Sequence, residues 1–257
     1  MIPVFCRSLQ LRPFGLASHH HPVLNYPPAF RDFWMKIFIV VPAYNEEGTI
    51  RSTVTGLLEQ YKDIVVVDDG SNDATFGALE TLPVHRLRHI LNRGQGAALQ
   101  TGLDYAILQG ADIIVTFDAD GQHRVDDIAT LIEPLSQGTA DVVLGSRFLG
   151  HAENIPWPRW VMLRVAVWVT RYLSGLQVSD THNGLRAMTR GAAIKIKLTM
   201  DRMTHASEIL DIIGREKLRY LERPVTIRYT AHSLKKGQST WDALQLFIKL
   251  MEERLLQ

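Results

Sequence analysis

The chain has one cysteine, Cys6, among its 257 residues, so no internal disulfide can form. This composition fits a reducing compartment, and we expect a cytoplasmic protein that acts in the cytosol or at the cytosolic face of a membrane. Long apolar runs are also missing. The stretch 161–169 is interrupted by Arg164 and is far shorter than the ~20 residues of a spanning helix. The sequence therefore predicts no transmembrane segment.

An excess of charge of either sign is absent as well. The chain has 28 Lys and Arg against 27 Asp and Glu, which gives a formal net charge of +1. Such a chain has no overall positive field to attract nucleic acid, so we expect no nucleic-acid partner. The composition leaves the oligomeric state open. A hydrophobic content of 46% is enough for one substantial core.

The apolar pattern divides the chain into three parts. Residues 1–34 contain five prolines and no periodic apolar face, so we expect a poorly ordered N-terminal extension. Residues 35–232 form the predicted main domain. Residues 233–257 begin with a basic loop that contains Lys235 and Lys236, and they continue as a predicted amphipathic helix.

Short apolar runs alternate with helical patterns in the main domain. The runs are 37–41, 64–67, 113–116 and 142–144, and helical spacing of apolar residues covers 46–61, 96–108 and 125–135. Alternation of this kind is typical of an α/β fold with a mainly parallel central sheet flanked by helices.

Charged residues follow all four apolar runs. Because parallel strands end at one edge of a sheet, these residues are expected to line one cleft. They occur in "VPAYNEE", "VDDGSNDAT", "FDADGQH" and "LGSRF", and they are Glu46, Asp68, Asp69, Asp118, Asp120 and Arg147. A turn would explain acidic residues after any one strand, since Asp and Gly favour turns. Acidic residues after several strands along one edge of the sheet favour a binding site.

The segment "FDADGQH" has the composition of a divalent-metal site. Mg²⁺ and Mn²⁺ prefer carboxylate oxygens and leave coordination positions open for substrate phosphates. The later segment "NRGQGAALQTG" places Gly94 and Gly96 before a helix, where backbone N–H groups can meet an anion. It lacks the Gly-Lys-Ser/Thr ending of a phosphate loop, and no dinucleotide fingerprint follows the first strand. ATP hydrolysis and NAD chemistry are therefore disfavoured.

The order and spacing of six segments resemble family-two inverting glycosyltransferases of the GT-A fold. The segments are "VVPAYNEEGTI", "VVVDDGSNDAT", "NRGQGAALQTGL", "FDADGQH", "VVLGSRF" and "DTHNGLRAMTR". The "DADGQH" form looks most like the branch of dolichyl-phosphate mannose synthases and polyprenyl-phosphate glycosyltransferases. The resemblance covers residues 36–230 and implies a GT-A catalytic domain at 35–232.

The resemblance implies a nucleotide-sugar donor and a Mg²⁺ or Mn²⁺ cofactor. Its implied metal ligands are Asp118, Asp120 and Gln122, and Ala119 joins them at the diphosphate. Arg147 would lie near the phosphates or the sugar, with a surface ion pair as its alternative. The implied contacts of the nucleoside are Pro42, Tyr44, Glu46, Val67 and Asp69.

The acceptor side of the implied site is less defined. Asp180, in "SDTHNGLRAM", is the first candidate for activating or positioning the acceptor, and Asp120 joins it as a catalytic candidate. Glu208, in "HASEIL", is the second candidate, with an ion pair on a helix face as its alternative. Arg186 is a candidate contact for an acceptor phosphate.

The implied acceptor is a polyprenyl phosphate or a lipid-linked saccharide, in the assembly of cell-envelope polysaccharide. A predicted helix over 157–173 is rich in Trp and Arg, as interfacial helices are, so we expect peripheral membrane contact; burial in the core is its alternative. The alternatives for the function are a soluble saccharide-extending transferase, a sugar-nucleotide pyrophosphorylase and a non-catalytic binding module for nucleotide sugars.

Overall fold

A computed structural model describes residues 35–199 and 205–229. The predicted N-terminal extension lies outside the described residues. So does the segment 233–257, with its predicted basic loop and amphipathic helix. All of the site residues named above lie within the described part of the chain.

The described residues form one mixed sheet of seven strands in the order β3-β2-β1-β4-β6-β5-β7. The strands are β1 Ile37–Ala43, β2 Asp63–Asp68, β3 His85–Arg88, β4 Ile113–Thr116, β5 Val142–Glu153, β6 Arg186–Thr189 and β7 Tyr220–Arg228. Strand β6 is antiparallel to its neighbours β4 and β5, and the other pairs are parallel. The predicted α/β fold with a mainly parallel sheet is confirmed.

Helices cover both faces of this sheet. They are α1 Ile50–Leu58, α2 Gln95–Leu108, α3 Asp127–Ser136, α4 Trp157–Ser174, α5 Arg190–Lys195 and α6 His205–Arg215. Side chains of β1 alternate between the two faces, as the pleat requires. Phe38 and Val40 pack in the core that includes α2, α5 and α6, whereas Ile39 and Val41 pack in the core that includes α1 and α3.

Gly102 lets α2 approach the centre of the sheet. A Cβ at this position would overlap the side chain of Val40 in β1. The close approach matters because the N-terminus of α2 points to the edge where β1, β2 and β4 end. Sequence periodicity predicted this helix to within one residue of its start.

One predicted strand differs from the structure, and the loop between β2 and β3 contains a 3₁₀ turn, Gly77–Leu79. Strand β5 does not end before "GSRF": it continues through Arg147 to Glu153 because its second half pairs with β7. Arg147 is therefore inside a strand, and the prediction that it follows one is wrong.

Candidate active site

Carboxylates meet at the carboxyl ends of parallel strands β1, β2 and β4. Glu46 follows β1, Asp69 follows β2, and Asp118 and Asp120 follow β4. Glu46 and Asp118 are both close enough to Asp120 to raise its pKa. Open α/β sheets bind ligands in the crevice beyond these strand ends.

Asp118 is held through both of its carboxylate oxygens. Nε2 of Gln95, in the first turn of α2, donates to Oδ1 at 3.1 Å, and Nε2 of His123 lies 3.0 Å from Oδ2. Burial acts against ionisation of this group. The hydrogen bond from His123 and the nearby Arg186 guanidinium outweigh that effect and hold the pKa of Asp118 below its usual range. Asp118 is therefore an ionised and oriented carboxylate.

Gly184 provides the space in which the Asp118 carboxylate lies. A Cβ at position 184 would overlap the carboxyl carbon and both oxygens of Asp118. The backbone is fixed at this point because Thr116 Oγ1 donates to the Gly184 carbonyl at 2.6 Å. The segment "NGLRA" thus forms one wall of the carboxylate site, a role for this glycine that its motif did not reveal.

Asp120 is repelled by the neighbouring carboxylates of Asp118 and Glu46. Burial and the negative charge of Asp118 raise the pKa of Asp120 to about 6, and Glu46 adds to this effect. The backbone N–H of Gln122 donates to Asp120 Oδ1 at 3.0 Å and partly offsets the repulsion. A divalent cation beside these oxygens would remove the remaining repulsion.

Asp69 fixes the N-terminus of α2. Its carboxylate accepts hydrogen bonds from the backbone N–H groups of Arg93 at 3.0 Å and Gly94 at 2.6 Å, and it lies 2.7 Å from Nδ1 of His89. Gly94 has a φ of 96°, a backbone conformation that glycine adopts without strain. Asp69 therefore shapes the glycine-rich turn that leads into α2.

A pocket of about 310 Å³ lies next to Asp69, between the ends of β2 and β3. Its lining residues are Gly70, Ser71, Asn72, Arg88, His89 and Ile90. Sequence reasoning missed Arg88 and His89 because the four-residue strand β3, "HRLR", has no apolar run.

The predicted nucleoside contacts differ in their exposure. Tyr44 is 38% exposed at the cleft side of β1, whereas Pro42 is buried within that strand. The Val67 side chain is fully buried in the core beside α2, so only its backbone lies near the strand end. Ala119 is also buried, and its carbonyl accepts a hydrogen bond from Thr53 Oγ1 at 3.2 Å.

Arg147 and Asp180 form a buried ion pair. Nε of Arg147 lies 2.6 Å from Asp180 Oδ2, and the backbone N–H of Arg147 donates to the same oxygen at 3.1 Å. Nη1 of Arg147 donates to the Tyr229 hydroxyl at 2.6 Å. Glu222 of β7 accepts hydrogen bonds from the backbone N–H groups of Ser179 and Asp180. The loop that carries Asp180 is therefore anchored to both β5 and β7.

Glu208 and Arg186 are both buried, with different surroundings. The carboxylate of Glu208 accepts hydrogen bonds from the backbone N–H and the hydroxyl of Thr199 at 2.8 and 2.7 Å. Arg186 lies close to the negative charges of Asp118 and Asp180. Burial lowers the pKa of its guanidinium to about 10, so it still carries its charge at neutral pH.

The donor set suits a hard divalent cation shared with a substrate. Asp118, Asp120 and Gln122 supply two carboxylates and one amide oxygen on a single short loop. No three His, Cys, Asp or Glu side chains within 35–199 and 205–229 converge as a preformed metal site. Mg²⁺ commonly takes one or two protein carboxylates and completes its shell with phosphate oxygens and water. The residues present fit that mode of binding.

Helix α4 presents an aromatic and basic surface. Trp157, Trp160 and Trp168 are exposed, with Trp157 at 75% and Trp168 at 69%. The Arg164 guanidinium lies over the Trp160 ring at 5.6 Å from its centroid. Leu163 is buried on the opposite side of the helix. No helix of the described segments has the length and apolar character needed to cross a bilayer.

A family model and several relatives place the chain in a known class. The model of glycosyl transferase family 2 matches residues 38–197, a range that includes β1, β2, β4 and the segments after them. The chain belongs to this family and is a glycosyltransferase. The predicted family is therefore confirmed.

Two archaeal proteins resemble almost the whole chain. An uncharacterised protein of Methanocaldococcus jannaschii is 37% identical over 86% of this chain and 93% of its own length. The UDP-N-acetylglucosamine–dolichyl-phosphate N-acetylglucosaminyltransferase of Methanococcus voltae is 35% identical over 84% of this chain and 94% of its own length. A polyprenol monophosphomannose synthase of Mycolicibacterium smegmatis is 32% identical over 64% of this chain and 65% of its own.

Solved structures share the fold at low sequence identity. Glucosyl-3-phosphoglycerate synthase from Mycobacterium tuberculosis, in complex with Mn²⁺, uridine diphosphate and phosphoglyceric acid, superposes with a TM-score of 0.67 and 18% identity. The match covers 86% of this chain and 79% of that one. The predicted GT-A fold is confirmed.

Proposed function

We propose that this protein transfers a sugar, with inversion, from a nucleotide diphosphate donor to a polyprenyl phosphate. The relatives from Methanococcus voltae and Mycolicibacterium smegmatis are named for transfer to, or synthesis of, such lipid phosphates. The observation that carries the proposal is the ionised Asp118 carboxylate, which lies beside Asp120 at the end of β4 and is bonded to the first turn of α2. A carboxylate pair at a helix N-terminus suits a metal-bound diphosphate.

On the donor side, Asp118, Asp120 and Gln122 would hold Mg²⁺ or Mn²⁺. When bound, the cation supplies Lewis-acid stabilisation of the negative charge that develops on the departing diphosphate. The N-terminus of α2 contributes its backbone N–H groups and dipole to the same anion. Asp69 keeps these N–H groups in place through its bonds to Arg93 and Gly94.

The nucleoside is proposed to bind along the ends of β1 and β2. Tyr44 and Glu46 lie after β1, and Pro42 and the Val67 backbone lie on the adjoining strands. Asp69 and His89 border the pocket between β2 and β3, where a base can hydrogen-bond. Ala119 adds backbone atoms next to the diphosphate.

On the acceptor side, we propose that Asp180 positions rather than deprotonates. A phosphate acceptor is already ionised at neutral pH, so its attack on the sugar needs orientation more than a base. Asp180 keeps Arg147 in place through the bond at 2.6 Å, and Arg186 carries a positive charge nearby. Glu208 remains the candidate base if the acceptor is a sugar hydroxyl.

We further propose that the enzyme works in the cytoplasm at the membrane face. The surface of α4 offers exposed indole rings on the same face as Arg164 and Arg171, a combination that fits the headgroup region of a bilayer with anionic lipids. A polyprenyl phosphate resides in that bilayer, so docking by α4 would bring the site to its acceptor.

A donor and acceptor screen tests this proposal. Purified protein is incubated with UDP-, GDP- and dTDP-sugars, with Mn²⁺ or Mg²⁺, and with a short polyprenyl phosphate, the matching prenol or a soluble saccharide. The expected products are a free nucleoside diphosphate and a glycosylated polyprenyl phosphate, with none from the prenol. Transfer to the soluble saccharide alone would indicate a saccharide-extending transferase. Inorganic pyrophosphate would indicate a pyrophosphorylase, and donor binding without turnover would indicate a binding module.

A further inference from the structure

We propose that His123 is a positioning residue, which holds the Asp118 carboxylate in the orientation that binds the divalent cation. The inference rests on the proposed function, because that function requires a metal at Asp118. It adds a residue outside the implied ligand set of Asp118, Asp120 and Gln122. His123 does not contact the substrate or the metal in this proposal; it acts through Asp118.

The geometry assigns the proton of the imidazole ring. Nε2 of His123 lies 3.0 Å from Asp118 Oδ2, and an ionised carboxylate can only accept a hydrogen bond. Nε2 therefore carries the hydrogen. Nδ1 is buried and makes no hydrogen bond to any of the described residues.

The position of the imidazole ring does not depend on a ligand. Its side chain is 3% exposed, and the ring packs against Phe117 with 5.5 Å between centroids. The backbone of His123 forms a bridge to Ile227 of β7, and the Gln122 carbonyl accepts a hydrogen bond from the Arg228 N–H at 2.9 Å. Strand β7 thus fixes the donor before any metal arrives.

The bond from His123 determines which parts of Asp118 remain available. Gln95 occupies one direction at Oδ1, His123 occupies one at Oδ2, and Gly184 lies close to both oxygens and to the carboxyl carbon. A cation must therefore use the lone pairs that these three groups leave unoccupied. Outer-shell partners that fix ligating carboxylates typically contribute ~10–100-fold to metal affinity. We expect an effect of this size for His123.

The test compares variants that differ in the hydrogen-bond donor. His123→Gln places an amide N–H where Nε2 lies, whereas His123→Leu keeps the bulk and removes the donor. His123→Asn is a second variant without a donor at that place, because its amide is too short. His151→Leu is the matched control, since His151 is exposed on β5 and makes no described contact with the carboxylates. Thermal melting confirms that each variant is folded.

Mn²⁺ affinity is measured by water-proton relaxation enhancement, with Mn²⁺ alone and with Mn²⁺ plus UDP. We expect His123→Leu and His123→Asn to weaken binding about 10–100-fold, His123→Gln to stay within about threefold of the wild type, and His151→Leu to match it. The Mn²⁺ concentration for half-maximal turnover should shift in parallel. Wild-type affinity in a folded His123→Leu or His123→Asn variant overturns the inference and leaves the proposed function intact. A wild-type protein that turns over without binding Mn²⁺ overturns the metal site itself, and the inference with it.

Discussion

The Arg147 guanidinium lies 2.6 Å from the Asp180 carboxylate, and both side chains are almost fully buried. The pair joins β5 to the loop before β6, and Tyr229 extends it to the end of β7. The two side chains are 33 residues apart in the sequence, and their contact holds β5 and the loop before β6 together. Removing one charge from such a pair leaves the other buried and unpaired.

Asp180→Asn should therefore destabilise the fold as well as impair turnover. Breaking a buried ion pair typically costs ~3–5 kcal/mol of unfolding free energy, and urea denaturation measures it. The double variant Arg147→Met with Asp180→Leu removes both charges and should recover much of that loss. If Asp180→Asn keeps full stability and loses only turnover, Asp180 acts on the substrate and not on Arg147.

Gly184→Ala should displace Asp118, because the added methyl group would overlap its carboxylate. We expect weaker Mn²⁺ binding and at least tenfold lower turnover, by analogy with the ~10–100-fold effect of groups that orient a metal ligand. Gly191→Ala is the control, since the nearest heavy atom to a Cβ at 191 is Thr189 Oγ1 at 3.9 Å. Unchanged Mn²⁺ affinity in Gly184→Ala would show that metal binding does not depend on this position of the Asp118 carboxylate.

Asp118→Asn and Asp120→Asn should each lower turnover by ~10²–10³, as loss of a main electrostatic stabiliser typically does. Asparagine keeps the size of the side chain, so the loss would report charge. Asp126→Asn is a matched control, because Asp126 is exposed and bonded only to Gln60 and Arg124 among the described residues. An excess of chelator should abolish wild-type activity; full activity under chelation would contradict a metal-assisted reaction.

Local patterns in the sequence predicted the sheet and its acidic edge. The apolar runs of β1, β2 and β4 are continuous and buried, so their ends could be read directly, and Asp118 and Asp120 follow the last of them. Strand β3 could not be predicted in this way, because His85 and Leu87 alternate with exposed arginines at the sheet edge. His89 at its end was missed for the same reason.

Contacts between distant segments account for the rest. Nothing near Arg147 in the sequence indicates that its partner is Asp180, since the pair depends on how β5 packs beside the loop before β6. The role of Gly184 depends equally on the pairing of β6 with β4. Sequence patterns reveal which residues end a strand, whereas the partner across the sheet follows only from the assembled topology.

The surface of α4 gives the last prediction. Pro158 stands in the first turn of this helix, where proline is tolerated, and Gly175 ends it with a φ of 70°. Trp160, Arg164 and Trp168 are four residues apart, so they lie along one face. Trp160 and Trp168 expose their indole rings on this face, and the exposed ring of Trp157 lies one turn before Trp160.

Binding to vesicles with anionic lipid should therefore depend on this face. Co-sedimentation of the wild-type protein is compared with Trp157→Ser/Trp168→Ser, with Arg164→Gln and with Leu108→Ser. Leu108 is 82% exposed on α2 and serves as a control for loss of an apolar side chain elsewhere.

Loss of one cation near an anionic surface costs ~1 kcal/mol, so Arg164→Gln should bind about fivefold more weakly. The double tryptophan variant should lose at least about tenfold, since each indole buries a large apolar area in the headgroup region. Two results would contradict this prediction: equal sedimentation of all four proteins, or equal sedimentation of the wild-type protein with vesicles that contain or lack anionic lipid. Either result would show that α4 does not dock on membranes and that the acceptor reaches the site by another route.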